Sequence, residues 1–309
     1  MNTATRLSLY GAGLVAAFAA AFGLGAVAVP GSAVSAWNEG VEMSEHGEMH
    51  VDASSEMHGE ASSAAQGSPA GVSLSAGGYV LAPVAAPGTV GEAGELRFRI
   101  LDEGGHPLID YATQHGKELH LIVVRVDGAQ FRHVHPELDT TSGTWSLPWT
   151  WEAAGTYRVY ADFAAPGAEG VTLSRMVQVA GGVTPAVTEV RTTAEADGYT
   201  VRLEGELVAG ASRALTLEVS RDGSPVTTLE PYLGAFGRLV ALREGDLAYL
   251  HVHPEGDEPA TGASGGPAIR FTAAAPTAGR YLLYLDFQVA GEVHTAEFAL
   301  DAMAGGEHE

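Results

Sequence analysis

Residues 105–137, GHPLIDYATQHGKELHLIVVRVDGAQFRHVHPE, align without a gap with residues 223–255, GSPVTTLEPYLGAFGRLVALREGDLAYLHVHPE, at a constant offset of 118. Further along, Gly155–Phe163 (GTYRVYADF) matches Gly279–Phe287 (GRYLLYLDF) at an offset of 124. The second copy therefore carries six extra residues, and its Gly- and Pro-rich stretch 256–267 is where they fit. A period near 118 is too long for a solenoid, so the repeat predicts two tandem domains of one fold.

Working outward, short apolar stretches recur between turn residues. ELRFRIL (95–101), LHLIVVRV (119–126) and TYRVYADF (156–163) are rich in β-branched and aromatic residues and read as strands. No helical pattern of ten residues or more falls between Val72 and Leu300. The expected fold is all-β: two immunoglobulin-like β-sandwich domains, 72–181 and 182–301, joined by a short linker at 180–186 (AGGVTPA). A flexible tail at 302–309 follows. In the strand 156–163, Tyr157, Val159, Ala161 and Phe163 are the expected core face.

An uncharged apolar run, Leu7–Val29, precedes these domains, with Arg6 before it and Val34-Ser35-Ala36 after it. Residues 1–36 thus read as a signal peptide or, if uncleaved, a membrane-anchoring hydrophobic helix. The remainder is expected to be extracytoplasmic, membrane-anchored or secreted. The chain has no cysteine, which excludes disulfides, thiolate metal sites and a thiol nucleophile. A net charge of −22 excludes a nucleic-acid binder, which needs a basic surface. Residues 37–71 hold almost no large aliphatic side chains and are expected to be disordered. That segment nevertheless clusters Met43, His46, Met49, His50, Met57 and His58 among seven carboxylates without a single Lys or Arg. Thioether and imidazole together suit copper.

HVHPE occurs in both copies, as His133–Glu137 and His251–Glu255. On a strand, residues i and i+2 share a face, so His133 and His135 form one pair of neighbouring imidazoles and His251 and His253 another. Proline then ends the strand, placing both pairs near a sheet margin where a third ligand can approach. Glu137 and Glu255 are candidate ligands or tautomer-fixing partners. His294 is a candidate third ligand in the second domain. His120 and His115 align with Arg238 and Leu233, so neither belongs to a shared site and both are expected to be structural or surface residues. His106 is expected on a turn. Asp162 and Asp286, which recur in the second matched stretch, are expected to make structural hydrogen bonds near strand ends.

Leu119–Val124, Phe131–Glu137, Gly143-Thr-Trp145 and Gly155–Phe163 resemble exported bacterial proteins with HxHP repeats, similar to YtkA-like and copper-resistance (CopC-like) β-sandwich domains. That resemblance implies an exported protein associated with copper or heavy-metal handling. His251-Val-His253 with the following Gly-rich loop is also similar to the copper strand of copper/zinc superoxide dismutase, although the cysteine and bridging histidine of that enzyme have no counterpart. The expected function is metal binding without catalysis, with copper sequestered or delivered in the cell envelope. The alternatives are a structural or interaction module with an envelope protein partner, and a copper-dependent redox enzyme.

Overall fold

The computed structural model describes residues 69–305, except 251 and 261. The expected N-terminal helix, His251, and the segment holding Met43, His46, Met49, His50, Met57 and His58 lie outside the described residues. Among the described residues every regular element is a strand, and no helix is long and apolar enough to cross a membrane.

The first repeat contains β1 (Ser75–Ala76), β2 (Tyr79–Leu81), β3 (Gly94–Leu101), β4 (Leu119–Arg125), β5 (Arg132–Val134), β6 (Glu137–Asp139), β7 (Thr144–Trp149), β8 (Gly155–Ala164) and β9 (Gly170–Val179). Its two sheets have the orders β1-β2-β3-β7-β6 and β5-β4-β8-β9. The second repeat contains β10 (Thr193–Ala196), β11 (Tyr199–Gly205), β12 (Leu207–Val208), β13 (Ser212–Arg221), β14 (Ser224–Pro225), β15 (Arg238–Arg243), β16 (Tyr249–Leu250), β17 (Val252–Pro254), β18 (Ala268–Ala274), β19 (Gly279–Val289) and β20 (Glu292–Met303). Its sheets are β10-β11-β13-β18-β17, with β14 on β13, and β12-β20-β19-β15-β16. By the sequence alignment β4 corresponds to β15, and β8 to β19. The 256–267 insertion forms the long connection between β17 and β18. Strand β20 runs to Met303 with Ala302 buried, so the sheet takes in residues assigned above to a flexible tail.

Each repeat has its own core between its two sheets. Leu96, Phe98, Ile100, Leu121, Val123, Trp145 and the expected Tyr157, Val159, Ala161 and Phe163 fill the first. Leu203, Leu215, Leu217, Phe271, Leu283, Leu285, Phe287 and Phe298 help fill the second. Strand β3 alternates between exposed and buried, as a strand with one solvated face must. Strand β4, by contrast, is buried at every residue. Its continuous LHLIVV run is the pattern of a strand covered on both faces.

The second face of β4 is covered by the other repeat. Ile122, Val124 and Tyr160 pack with Val240, Leu242, Leu247, Leu282, Tyr284 and Ala299 in a third apolar cluster. Phe131 stacks on Tyr284 with ring centroids 4.0 Å apart, and Tyr249 lies edge-on to Tyr160 at 6.2 Å. Phe131 and Tyr249 are equivalent residues at the offset of 118, as Tyr160 and Tyr284 are at 124, so the contact is reciprocal. The two phenols repeat the pattern: Tyr160 donates to the Leu247 carbonyl and Tyr284 to the Gly128 carbonyl, each at 2.6 Å. The repeats therefore meet through equivalent sheet faces.

Tyr284→Phe keeps the stack and removes only the bond to Gly128. We expect a loss of about 1 kcal/mol in the urea midpoint analysis. Tyr284→Ala also removes the ring and is expected to cost about 3–5 kcal/mol. Equal stability of wild type and Tyr284→Ala would show that the repeats do not depend on this contact.

Candidate metal centre

The site lies where the shared cluster reaches the end of β4. A chain reversal near Gly128 returns β5 antiparallel along β4, with Ile122 opposite His133 and Leu121 opposite Val134. One step further the same register sets His120 opposite His135. Residues of one parity, Arg132 and Val134, face the first core: the Arg132 guanidinium lies 4.2 Å over the Trp149 ring, donates to the Thr150 carbonyl at 3.1 Å, and Val134 packs on the core. The other parity carries His133 and His135 to the inter-repeat side, beside His120 and Ile122.

His120, His133 and His135 each offer a ring nitrogen, and the three atoms lie within 4.8 Å of one another. His120 Nδ1 is 3.1 Å from both His133 Nε2 and His135 Nε2. His120 is 3% exposed, and the His133 side chain 2%.

The partners of the outer nitrogens fix the tautomers. His120 Nε2 lies 3.1 Å from the Gln114 carbonyl, which can only accept, so this nitrogen carries the proton. His133 Nδ1 lies 2.8 Å from Asp286 Oδ2 and donates to that carboxylate. In the neutral rings His120 Nδ1 and His133 Nε2 are then both unprotonated. Two lone pairs face each other at 3.1 Å, an arrangement that calls for a cation or a proton between them. His135 can relieve part of this by donating to His120 Nδ1, or can turn a third lone pair to the same point in its other tautomer.

Burial first, and then the neighbouring His133 charge, hold the His120 and His135 pKa values down at about 3. Arg238 lowers both, and Lys117 lowers His135 further. His120 and His135 therefore keep their lone pairs at a pH where an ordinary histidine would be half protonated. Three imidazoles are a donor set for zinc or copper. Metal–nitrogen bonds of about 2.0–2.1 Å at tetrahedral angles place two nitrogens about 3.3 Å apart, close to the two 3.1 Å separations here.

Asp286 is 2% exposed and comes from β19 of the second repeat. Its other oxygen accepts from Thr295 at 2.6 Å. Asp162 accepts from Thr172 at 2.8 Å in the equivalent position. Both aspartates make the hydrogen bonds expected of them. The bond from Asp286 to a histidine of the other repeat was not foreseen.

The other candidates are placed differently. Glu137 is exposed on β6, opposite Ser146 in the other sheet of the first repeat, and is not part of the triad. His253 is exposed on β17, opposite Thr272. The second copy leaves the β15 sheet after Leu250, whereas the first follows β4 through Val134. That earlier crossover carries Val252–Pro254 onto β18, in the other sheet of the second repeat. Glu255 is exposed and accepts from Thr272 at 2.8 Å. His294 is buried against Tyr199 and Phe287, its Nδ1 2.9 Å from Asp197. His115 is exposed on a turn, its ring 6.2 Å from His120, and His106 is exposed beside Asp102.

His120 is thus the correction to the sequence reading. The alignment with Arg238 set it aside, on the premise that a functional site would be shared by both copies. The signal that finds it is register: a hairpin turning near Gly128 with Ile122 opposite His133 must bring His120 to His135.

The pH dependence of stability follows. A folded-state pKa below the unfolded one means that unfolding takes up protons. His120 and His135 contribute full stability above the unfolded histidine pKa of about 6.5, and this is lost as pH falls toward about 3. Metal-free protein is expected to lose melting temperature steadily between those limits. His120→Gln/His135→Gln should flatten that slope, and an unchanged slope in this variant would overturn the assignment.

Comparison with known proteins adds a family but no activity. No curated protein sequence matches the chain. Among solved structures the chain is similar to the bacterial integrin-binding protein invasin (15% identity, 74% of this chain and 39% of invasin, TM-score 0.22). It is also similar to a Salmonella alpha-2-macroglobulin mutant (15% identity, 78% of this chain and 16% of that one, TM-score 0.25). The fibronectin(III)-like modules of Clostridium thermocellum CbhA follow (11% identity, 74% and 99%, TM-score 0.21). The chain spans well under half of invasin and of the macroglobulin. Superpositions this loose bear on neither partners nor activity. Two segments, residues 75–181 and 194–304, match one family, and the chain belongs to it: the family described as "Domain of unknown function (DUF8832)".

Proposed function

We propose that this protein is an exported metal-binding protein of the cell envelope, in which His120, His133 and His135 hold one late transition-metal ion for sequestration or delivery. The observation that carries this reading is the convergence of three ring nitrogens, with His120 Nδ1 lying 3.1 Å from both His133 Nε2 and His135 Nε2. With all three rings neutral and their free nitrogens turned inward, a bound cation would supply the positive charge between them. The chain's own residues supply the rest. Gln114 and Asp286 orient two rings, and burial keeps His120 and His135 neutral. Within this proposal the ion is copper. The support is the cysteine-free composition and the Met43–His58 cluster, where thioether and imidazole would capture ions ahead of the triad. The leader-like Leu7–Val29 run supports export, and the resemblance to copper-resistance sandwiches belongs to the same reading, as does an immunoglobulin-like assignment for each repeat.

One observation favours a second reading, a purely structural interface. The buried His133–Asp286 bond joins the repeats whether or not an ion is present. The two readings separate on metal stoichiometry. The purified protein, titrated with Cu(II) and with Zn(II) and then desalted, is expected to retain one tightly held equivalent. His120→Ala/His133→Ala/His135→Ala should lose it, while His253→Ala should keep it. A triple variant that still holds the ion would refute the site, and a wild type that holds none would leave the structural reading.

A further inference from the structure

The triad belongs to the first repeat, yet the group that fixes His133 belongs to the second. We infer that Asp286 is a positioning residue that makes His133 a competent ligand only while the two repeats are docked, so that metal binding and repeat docking are coupled. This inference rests on the metal-binding reading of the triad.

The argument is one of atoms. A free neutral imidazole distributes its proton between two nitrogens, and only an unprotonated nitrogen can ligate. In His133 the Nδ1–H points at Asp286 Oδ2 at 2.8 Å, with the two side chains 2% and 3% exposed. At such burial the bond holds the Nδ1 proton, so in the neutral ring the lone pair is confined to Nε2, the atom that faces His120. The carboxylate is itself held, its other oxygen accepting from Thr295 of the next strand at 2.6 Å. An outer carboxylate on a ligating histidine orients the ring and raises its basicity, and its loss usually costs 10–100-fold in affinity.

What distinguishes this site is where the carboxylate comes from. Asp286 reaches His133 only because the face of β19 packs on the face of β4 through Tyr284, Phe131 and Ile122. Coupling of this kind is reciprocal: whatever docking contributes to metal affinity, the metal returns to docking. A bound ion should therefore tighten the inter-repeat contact, and loosening that contact should release the ion.

Two measurements test this on the whole chain. The first needs no metal. Nitrogen-15 NMR of the imidazoles should show His133 as the Nδ1–H tautomer in the wild type and as mainly Nε2–H in Asp286→Asn, because an amide can donate to Nδ1. The second is competitive titration with Zn(II) and Cu(II), where Asp286→Asn should bind 10–100-fold more weakly. If Asp286→Asn fails to fold, Thr295→Val keeps the carboxylate but frees it, and a several-fold loss is expected. Tyr284→Ala, which replaces no ligand and leaves Asp286 in place, should also weaken binding if docking is coupled to the site. An unchanged His133 tautomer together with affinity within twofold of wild type would overturn the inference. A wild type that binds neither metal would instead overturn the metal-binding reading, and the tautomer result would then describe a structural bond alone.

Discussion

Strand β4 is buried on both faces, and most of the rest follows from that. Leu119, Leu121 and Val123 face one core, while Ile122 and Val124 face the other repeat. A strand so placed cannot turn a polar residue to solvent from either face. When such a strand carries a histidine, the ring must find its hydrogen-bond partners inside the protein, because an unmet buried polar group costs more than a satisfied bond contributes. His120 finds one partner in the Gln114 carbonyl and leaves its other nitrogen to its neighbours. The triad is a consequence of sheet packing as much as of ligand choice.

The same constraint explains why His120 and His135 stay neutral. Three ring nitrogens within 4.8 Å of one another repel any shared positive charge, and burial is the first cause of the low His120 and His135 pKa values. Asp286 contributes a negative charge at the other end of His133. Arg238 opposes any further positive charge nearby. Around His120 and His135 the site is thus poor in protons and rich in lone pairs, a state that an ion with imidazole preference would satisfy.

Much of the architecture was legible in the chain. The offset of 118, the strand periodicity of Tyr157–Phe163 and the inserted loop all report local pattern, which sequence carries directly. The His133/His135 pairing was legible for the same reason, since it needs only the two-residue period of a strand. The inter-repeat contact was harder to see. LHLIVV looked like an ordinary strand, though its lack of a polar face was the mark of double burial. His120 was lost by comparing repeats when the register of one hairpin was the better guide. The bond from His133 to Asp286 joins residues 153 apart, and no local pattern reports it.

The repeats share a fold and differ at the position that decides the chemistry. In the first, His120 stands across the ladder from Asp162; in the second, Arg238 stands across from Asp286. A guanidinium brings a permanent charge where the imidazole brings a lone pair. A second ion beside Arg238 would meet that fixed charge, and would lack the third ring as well. The earlier crossover also places His253 on β17, exposed and paired with β18 rather than with β15. With Arg238 close enough to depress His120 and His135, the second repeat still acts on the first: it repels protons from the triad while Asp286 holds one ring in place. Divergence has therefore left a division of labour across one interface, with ligands on one side and their electrostatic setting on the other.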